Sequence, residues 1–485
     1  MERKWWTLVA VCVAIFMLLL DITIVNVALP SIQSSLGASF SDLQWVVDAY
    51  ALTLATCVLT AGSTSDLFGR KRVFVAGIVI FTAASALCGV ANDPLFLILS
   101  RAVQGIGGAI MFATSLALLS QEFHGRERGT AFGIWGATTG AAVAIGPLIG
   151  GMLTSWLSWR WIFLVNVPIG IVAVIVSVRK LRESSDPEHG SIDPLGLVLL
   201  TGGLFCLVFA LIEGNKRGWS SAFIIGLFVG SAVLLTAFVF QQLRRTKPMI
   251  DLRLFRKPAF TGVQIAAFAL SSSLFAMFLY LTLYMQEVLG YSPLQAGLRF
   301  LPITLLAFVA APIGGKLTAS VPIRLLMGGG LVLVALSMAL MAGLTPSSGW
   351  TALLAGFIVG GIGIGFTNPA LATTAISTVP REQAGAGSGA NATFRQVGIA
   401  TGIAALGAIF QHQLTGYASS HPQSPGSSAG HTNGTAQYAD HAAFVSALND
   451  ILWVGFGVAA VGAVCAFVLI RKRDFVASGP QPAVE

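Results

Sequence analysis

Three charged side chains sit inside apolar runs, where charge is costly and tends to line an interior or a pathway. Asp21 lies in LDITIVNVALP, Asp48 in WVVDAYALTLA and Arg101 in SRAVQGIGGA. On helices rising about 1.5 Å per residue, Asp21 is roughly 24 Å from the start of its run, while Asp48 and Arg101 are about 7 and 9 Å from the opposite surface. All three therefore share a level. Pairing Arg101 with one carboxylate offsets the desolvation of both, and leaves the other carboxylate to load and release protons. The competing reading is a static ion pair, with Asp48 shallow enough to be a boundary residue reaching for water.

The elements that must position these residues are membrane helices. The chain has 485 residues, 55% hydrophobic and 10% charged, with a mean hydropathy of +0.81. Soluble domains carry about 25% charge, so this is a polytopic membrane protein. Fourteen spans lie near 5–28, 43–64, 73–91, 95–119, 129–154, 160–178, 194–213, 220–240, 259–287, 295–316, 323–344, 350–374, 387–411 and 449–470. Each is long enough to cross about 30 Å of hydrocarbon. An even number puts both termini on one side, and Arg3, Lys4, Arg471, Lys472 and Arg473 mark that side as cytoplasmic. The formal charge of +8 has the same origin: most cations fall in alternate loops, with Arg160, Lys216 and Arg217 in the outer ones. A nucleic-acid surface would gather them on one element, so no nucleic-acid partner is expected.

Cys12, Cys57, Cys88, Cys206 and Cys465 all fall in apolar segments and read as small buried hydrophobes, without disulfide or metal spacing. Residues 1–30 begin like a signal peptide, but the run is long, contains Asp21 and lacks a small-residue cleavage site. It is expected to be retained as the first helix.

The expected fold is all-α: a six-helix bundle over 1–182, a cytoplasmic linker with two inserted helices over 183–250, and a second six-helix bundle over 251–474 containing an outer loop at 412–448. A cytoplasmic tail follows at 475–485. Internal duplication is faint. GGKLTASVPIR (Gly314 to Arg324) stands after the second helix of the later half as GSTSDLFGRKR does in the first, with Thr318 in place of Asp66. The outer loop is rich in Ser, Gly, Gln and His; His412, His421, His431 and His441 have no ligand spacing, so a solvated linker is favoured over metal binding. Asn433 opens a glycosylation sequon that matters only in a host that glycosylates.

GSTSDLFGRKR itself contains Gly62, Asp66, Gly69, Arg70, Lys71 and Arg72. Gly62 permits close approach of a neighbouring backbone, Gly69 a tight turn, and the three cations mark a cytoplasmic loop. Asp66 at the membrane edge reads as a gate, paired with Arg70 or with a helix N-terminus. The spacing resembles the loop signature of the major facilitator superfamily, G-x-x-x-D-x-x-G-R-K/R-x. LDITIVNVALP is similar to the first-helix signature of that family's fourteen-helix drug:proton antiporter branch. RAVQGIG, with Arg101, Gln104, Gly105 and Gly107, resembles its fourth-helix motif, whose arginine the family implicates in proton transfer. GAAVAIGPLIGG, with Gly146, Pro147, Gly150 and Gly151, resembles the fifth-helix exporter motif. Here proline removes a backbone hydrogen bond and glycines form a groove for close packing.

The resemblance implies export of small amphipathic toxic compounds, cationic or neutral, by proton antiport across the plasma (inner) membrane, with a monomer sufficient. Asp21, Asp48 and Arg101 are the expected proton-coupling residues. The loop residues from Gly62 to Arg72 and the fifth-helix residues Gly146, Pro147, Gly150 and Gly151 are the expected conformational ones. Asn26, Gln104, Tyr280, Tyr284, Asn368 and Asn391 are candidates for the cavity wall. Arg395 either meets an anionic substrate or ties helices through backbone carbonyls. Glu287 and Arg299 are placed to pair at the outer rim.

No nucleotide-binding loop is present, and no haem, zinc or catalytic triad pattern is visible. The expected energy source is therefore a proton gradient, with no cofactor, no metal and no enzymatic activity. The alternatives are export of an endogenous lipid, siderophore or metabolite on the same fold and, more remotely, a non-transporting membrane sensor.

Overall fold

The computed structural model describes residues 2–123, 125–185, 192–246, 248–318, 320–379, 384–420 and 441–471. Among these, regular structure is entirely helical, and fourteen helices are long and apolar enough to span a bilayer. They are α1 (Arg3–Leu36), α2 (Phe40–Phe68), α3 (Arg70–Gly89), α4 (Pro94–Glu122), α5 (Thr130–Trp156), α6 (Trp161–Lys180), α7 (Pro194–Arg217), α8 (Ala222–Arg244), α9 (Pro258–Val288), α10 (Pro293–Leu317), α11 (Ile323–Met341), α12 (Trp350–Ser377), α13 (Gly387–Gly416) and α14 (His441–Leu469). All expected spans fall on these helices. The ends differ: α1 runs through Pro30 to Leu36, and α14 begins at His441 instead of near 449. Helical structure after α13 continues to Ser420, so the expected outer loop is shorter, and its residues 421–440, with His421, His431 and Asn433, lie outside the described residues.

In the first bundle α1 packs on α5, α2 on α4, and α3 on α4 and α6; in the second, α10 and α11 pack on α12, and α14 on α9 and α11. The fourteen helices alternate in direction, so both described chain ends lie on one face, here the terminal face. Arg3 at the start of α1 donates accordingly to the Lys180 carbonyl at the end of α6, at 2.7 Å.

The two bundles are clasped at the far face. Gln44 of α2 donates to the Ile403 carbonyl of α13 at 3.0 Å, and Gln286 of α9 to the Val27 carbonyl of α1 at 2.8 Å. Between α5 and α10 the contact is backbone to backbone. A Cβ at Gly297 would meet the Pro147 carbonyl oxygen at 2.3 Å, and one at Gly151 the Pro293 oxygen at 2.6 Å. Toward the terminal face α2 and α13 stay in contact, Thr393 Oγ1 donating to the Ala55 carbonyl at 2.9 Å, while Cβ atoms added at Gly62, Gly133 or Gly136 would meet nothing within 4 Å. The close approach expected at Gly62 is thus absent from this conformation.

The inserted pair α7 and α8 forms a hairpin turned by Gly218 at φ +86°. Its base is tied by Asp193, which accepts from the Gly196 amide, Gln241 and Gln242 and pairs with Arg245 at 3.1 Å. Burial works against ionisation there, yet those hydrogen bonds and the Arg245 charge hold the Asp193 carboxyl below its ordinary pKa. Leu200, Leu204, Val208 and Ile212 of α7 pack with Ala51 and Leu52 of α2 and with Ala400 and Ala404 of α13. The hairpin therefore lies along the seam between α2 and α13.

Substituting Gly297→Ala forces a methyl group into the Pro147 carbonyl and is expected to destabilise by roughly 1–3 kcal/mol. Gly133→Ala, with open space around it, is expected to stabilise by up to about 1 kcal/mol through helix propensity. Thermal unfolding of the two purified variants, with Tm moving in opposite directions, checks both.

Candidate functional site

The fourth-helix residues come together because two glycines let α4 approach its neighbours. A Cβ at Gly105 would lie 2.5 Å from the Tyr50 carbonyl oxygen of α2, and one at Gly107 would lie 2.5 Å from the Phe81 amide nitrogen of α3. Arg101 and Gln104, one helical turn apart, then share a face directed at α1. Asp21 meets both. Arg101 Nη1 forms a short ion pair with its Oδ2, and Gln104 Nε2 donates to its Oδ1 at 2.9 Å.

The rest of the cluster satisfies what remains. Arg101 Nε donates to the Val46 carbonyl at 3.1 Å, and Nη1 also donates to Gln104 Oε1 at 2.8 Å. The Tyr50 ring lies 4.2 Å from the guanidinium carbon. Ser85 accepts from Gln104 and Asn166 and donates to the Phe163 carbonyl, while Asn166 Nδ2 also reaches Asp21 Oδ1 at 3.4 Å. Asp21 and Arg101 are each 1% exposed. Excellent geometry and extra hydrogen bonds are what a buried ion pair needs to offset its desolvation. Ser85 and Asn166 escaped the sequence reading; an asparagine within the apolar run IFLVNVPIG was the available signal.

Asp48 is elsewhere. It follows Val46, whose carbonyl faces Arg101, by two residues, about 200° around α2. It stands instead between Gln44 and Leu52, which pack on α13 and α7. It is fully buried, and among the described residues neither carboxylate oxygen has a hydrogen-bond partner. The shared level expected from helical rise did not bring Asp48 to the cluster, because depth says nothing about azimuth.

At the terminal face Gly69 turns the chain at φ +102°, and Asp66 pairs with Arg70 at 2.9 Å. The N-terminus of α3 is occupied by a residue that sequence reading missed. Glu183, beyond α6, accepts from the Lys71 and Arg72 amides at 3.0 and 3.2 Å, a favourable seat for a carboxylate. Gly146 and Gly150 face Thr23 and Ile24 of α1, whereas Gly151 faces α10 across the bundles.

Between the bundles lies a narrow cavity of about 40 Å³. Its wall is uncharged and mostly apolar: Ile22, Thr23, Asn26 and Val27 of α1 face Phe275, Phe278 and Thr282 of α9 and Phe300 of α10, and Pro147, Ile399 and Ile403 line it as well. Of the expected cavity residues only Asn26 lines it. Gln104 belongs to the ion-pair cluster. Tyr280 and Tyr284 are buried ties, donating to the Ile403 and Ser348 carbonyls at 2.6 and 2.8 Å. Asn368 and Asn391 each leave a buried polar atom without a partner. Arg299 does not pair with Glu287 among the described residues; its guanidinium stacks 3.6 Å from the Tyr291 ring centre and donates to the Gln295 carbonyl. Both an aromatic face and a nearby carbonyl were closer than the carboxylate.

Residues 11–403 match the family model of the Major Facilitator Superfamily. The chain belongs to the major facilitator superfamily. It is 36% identical to a puromycin resistance protein of Streptomyces alboniger, over 97% of this chain and 92% of that one. It is 35% identical to a probable actinorhodin transporter of Streptomyces coelicolor, over 84% and 72% of the two chains. A bacterial homologue of the human lysosomal transporter Spinster, solved inward-facing and occupied, has the same fold at a TM-score of 0.67 and 18% identity, with 99% of each chain covered. The superfamily membership and the fourteen spans make this a multi-pass cell-membrane transporter and not an enzyme.

Removing Arg101 leaves Asp21 buried and uncompensated, so Arg101→Ala is expected to destabilise by about 3–5 kcal/mol. The double variant Asp21→Asn with Arg101→Gln recovers part of that loss. Asp48→Asn, which breaks no pair, stays within about 1 kcal/mol. Unfolding curves in detergent for the three variants and the wild type test the ranking.

Proposed function

We propose that this superfamily member is a secondary active exporter of small amphipathic drugs or antibiotics, driven by inward movement of protons through alternating access. The carrying observation is that α1 holds Asp21 of the buried ion pair on one face and the cavity wall, through Ile22, Thr23 and Asn26, on another. A proton taken up by Asp21 removes the negative partner and leaves Arg101 a lone buried cation. Breaking such a pair costs about 3–5 kcal/mol, which rearrangement of α1 against α4 relieves. The cavity on the other face of the same helix feels that rearrangement directly. Asp48, with no cation to release, takes no part in this step.

The terminal face is assigned to the cytoplasm, since Arg70, Lys71, Arg72, Arg179, Lys180 and Arg244 gather there. The Asp66–Arg70 pair and the glycine at 62 then belong to the inner gate, beside which Gly62, Gly133 and Gly136 have free space. Closing it would use the space beside those glycines. One chain contains both bundles and the cavity between them, so a monomer suffices. Names of relatives that pair resistance with export, such as the tetracenomycin C resistance and export protein of Streptomyces glaucescens, support the outward direction.

Proteoliposomes with an internal pH probe and an imposed pH gradient test the coupling. Adding antibiotics or dyes is expected to trigger proton movement in the wild type and none in Asp21→Asn. Wild-type proton movement in Asp21→Asn would remove that carboxylate from the mechanism. Absence of any response to drugs, with a response to a compound made by the host, would favour export of an endogenous metabolite.

A further inference from the structure

We infer that Arg395 and Asn391 form an anion-recognition point at the mouth of the cavity, and that the preferred substrates carry a carboxylate or another acidic group on an aromatic body. This rests on the export reading above and departs from the cationic or neutral compounds that the sequence motifs imply.

Asn391, Arg395, Ile399 and Ile403 recur every four residues along α13 and so form one stripe. Ile399 and Ile403 are cavity wall. Arg395 stands one turn nearer the terminal face, about 6 Å along the axis, and Asn391 a turn beyond it. The placement is fixed from the other side by α9. Glycines at 398 and 402 let α13 press on the Phe268 and Ser272 backbone, and a π turn over Ser271–Phe275 follows directly. Phe275, at the end of that turn, lines the cavity, and the Arg395 guanidinium lies 5.9 Å from its ring centre.

Arg395 does not tie helices together. Its guanidinium meets that aromatic ring, and among the described residues no carboxylate or backbone carbonyl takes its hydrogen bonds. It is partly exposed. Asn391 is 8% exposed, and its Nδ2 donor is likewise unused. A buried amide donor without an acceptor and a guanidinium without a protein acceptor thus stand together on the stripe that continues the cavity wall, and an unused buried donor is expensive. No compensating negative charge faces them. Asp21 is neutralised by Arg101, Asp48 is turned to the seam with α7 and α13, and the cavity wall has no charged residue. An acidic group reaching out of the cavity would supply the missing acceptor, while its aromatic body rests against Phe275, Phe278 and Phe300. A cationic compound would meet an uncompensated guanidinium of like sign.

Three fluorescent probes share one ring system and differ in charge: 1-pyrenebutyrate, 1-pyrenebutanol and 1-pyrenemethylamine. Binding to the full chain in nanodiscs, corrected with empty nanodiscs, and accumulation in energised inverted vesicles are measured for each. The butyrate is expected to bind more tightly than the butanol by roughly tenfold or more, the worth of one charge-assisted hydrogen bond. Arg395→Gln should bring that ratio to about one, and Arg395→Lys, which keeps the charge, should retain most of it. A wild-type preference for the amine or the alcohol overturns the inference while leaving export standing, as does an unchanged ratio in Arg395→Gln. Failure of all three probes to bind or accumulate overturns the export reading, and this inference with it.

Discussion

A guanidinium and a carboxylate held together away from water constrain every helix near them. Around Asp21 and Arg101 the constraint is visible in who must contribute. α1 supplies the carboxylate, α4 the guanidinium and Gln104, α2 the Val46 carbonyl and the Tyr50 ring, α3 the Ser85 hydroxyl, and α6 the Asn166 amide. Five helices converge on one pair of charges. None of those partners reaches unless α4 lies against the backbones of α2 and α3, which is the structural work of Gly105 and Gly107. The motif with its arginine, glutamine and two glycines is thus a single device, in which the small residues set the distance and the polar ones use it.

The second bundle is built without such a centre. Its buried ties are neutral: Tyr280 and Tyr284 donate to carbonyls on α13 and in the loop before α12, and Phe300, Phe357, Phe410 and Phe444 pack in stacked and edge-on pairs. Two π turns in α9, over Ser271–Phe275 and Tyr284–Val288, re-aim the helix that faces the cavity. One bundle holds the buried ion pair, and the other supplies most of the aromatic wall. The pseudo-symmetry of the two halves is therefore a symmetry of helix placement and not of chemistry, as Thr318 in place of Asp66 already hinted.

Helix number and approximate position were legible in the sequence because hydrocarbon thickness imposes span length, and because glycine and charge punctuate the loops, while the ends of α1, α13 and α14 run further than the apolar runs showed. The pairing of Asp21 with Arg101 was legible as one of two alternatives, since helical rise gives depth. What rise does not give is rotation about the helix axis, and that alone separated Asp48 from the cluster. The same limit misplaced Tyr280 and Tyr284, whose polar tips are equally at home on a cavity wall or against a carbonyl. Glu183 was invisible for a different reason: it caps α3 across more than a hundred residues of sequence, and no local pattern announces a partner so distant. The cavity wall, made of ordinary Ile, Val, Thr and Phe, carries no signature at all until the helices are assembled.

The hairpin of α7 and α8 breaks another symmetry. It covers the seam between α2 and α13, where Trp45 meets Phe205 and Phe209 and where Asn215 donates to the Ala408 carbonyl. The opposite seam, between α5 and α10, is held by its glycine contacts and by the Leu294 amide donating to Ser155 at 2.9 Å, with Ile134, Val309 and Ile313 exposed beside it. A compound dissolved in the bilayer thus meets one shielded flank and one bare one. If substrates enter from the lipid, the barer flank is the one left open to them.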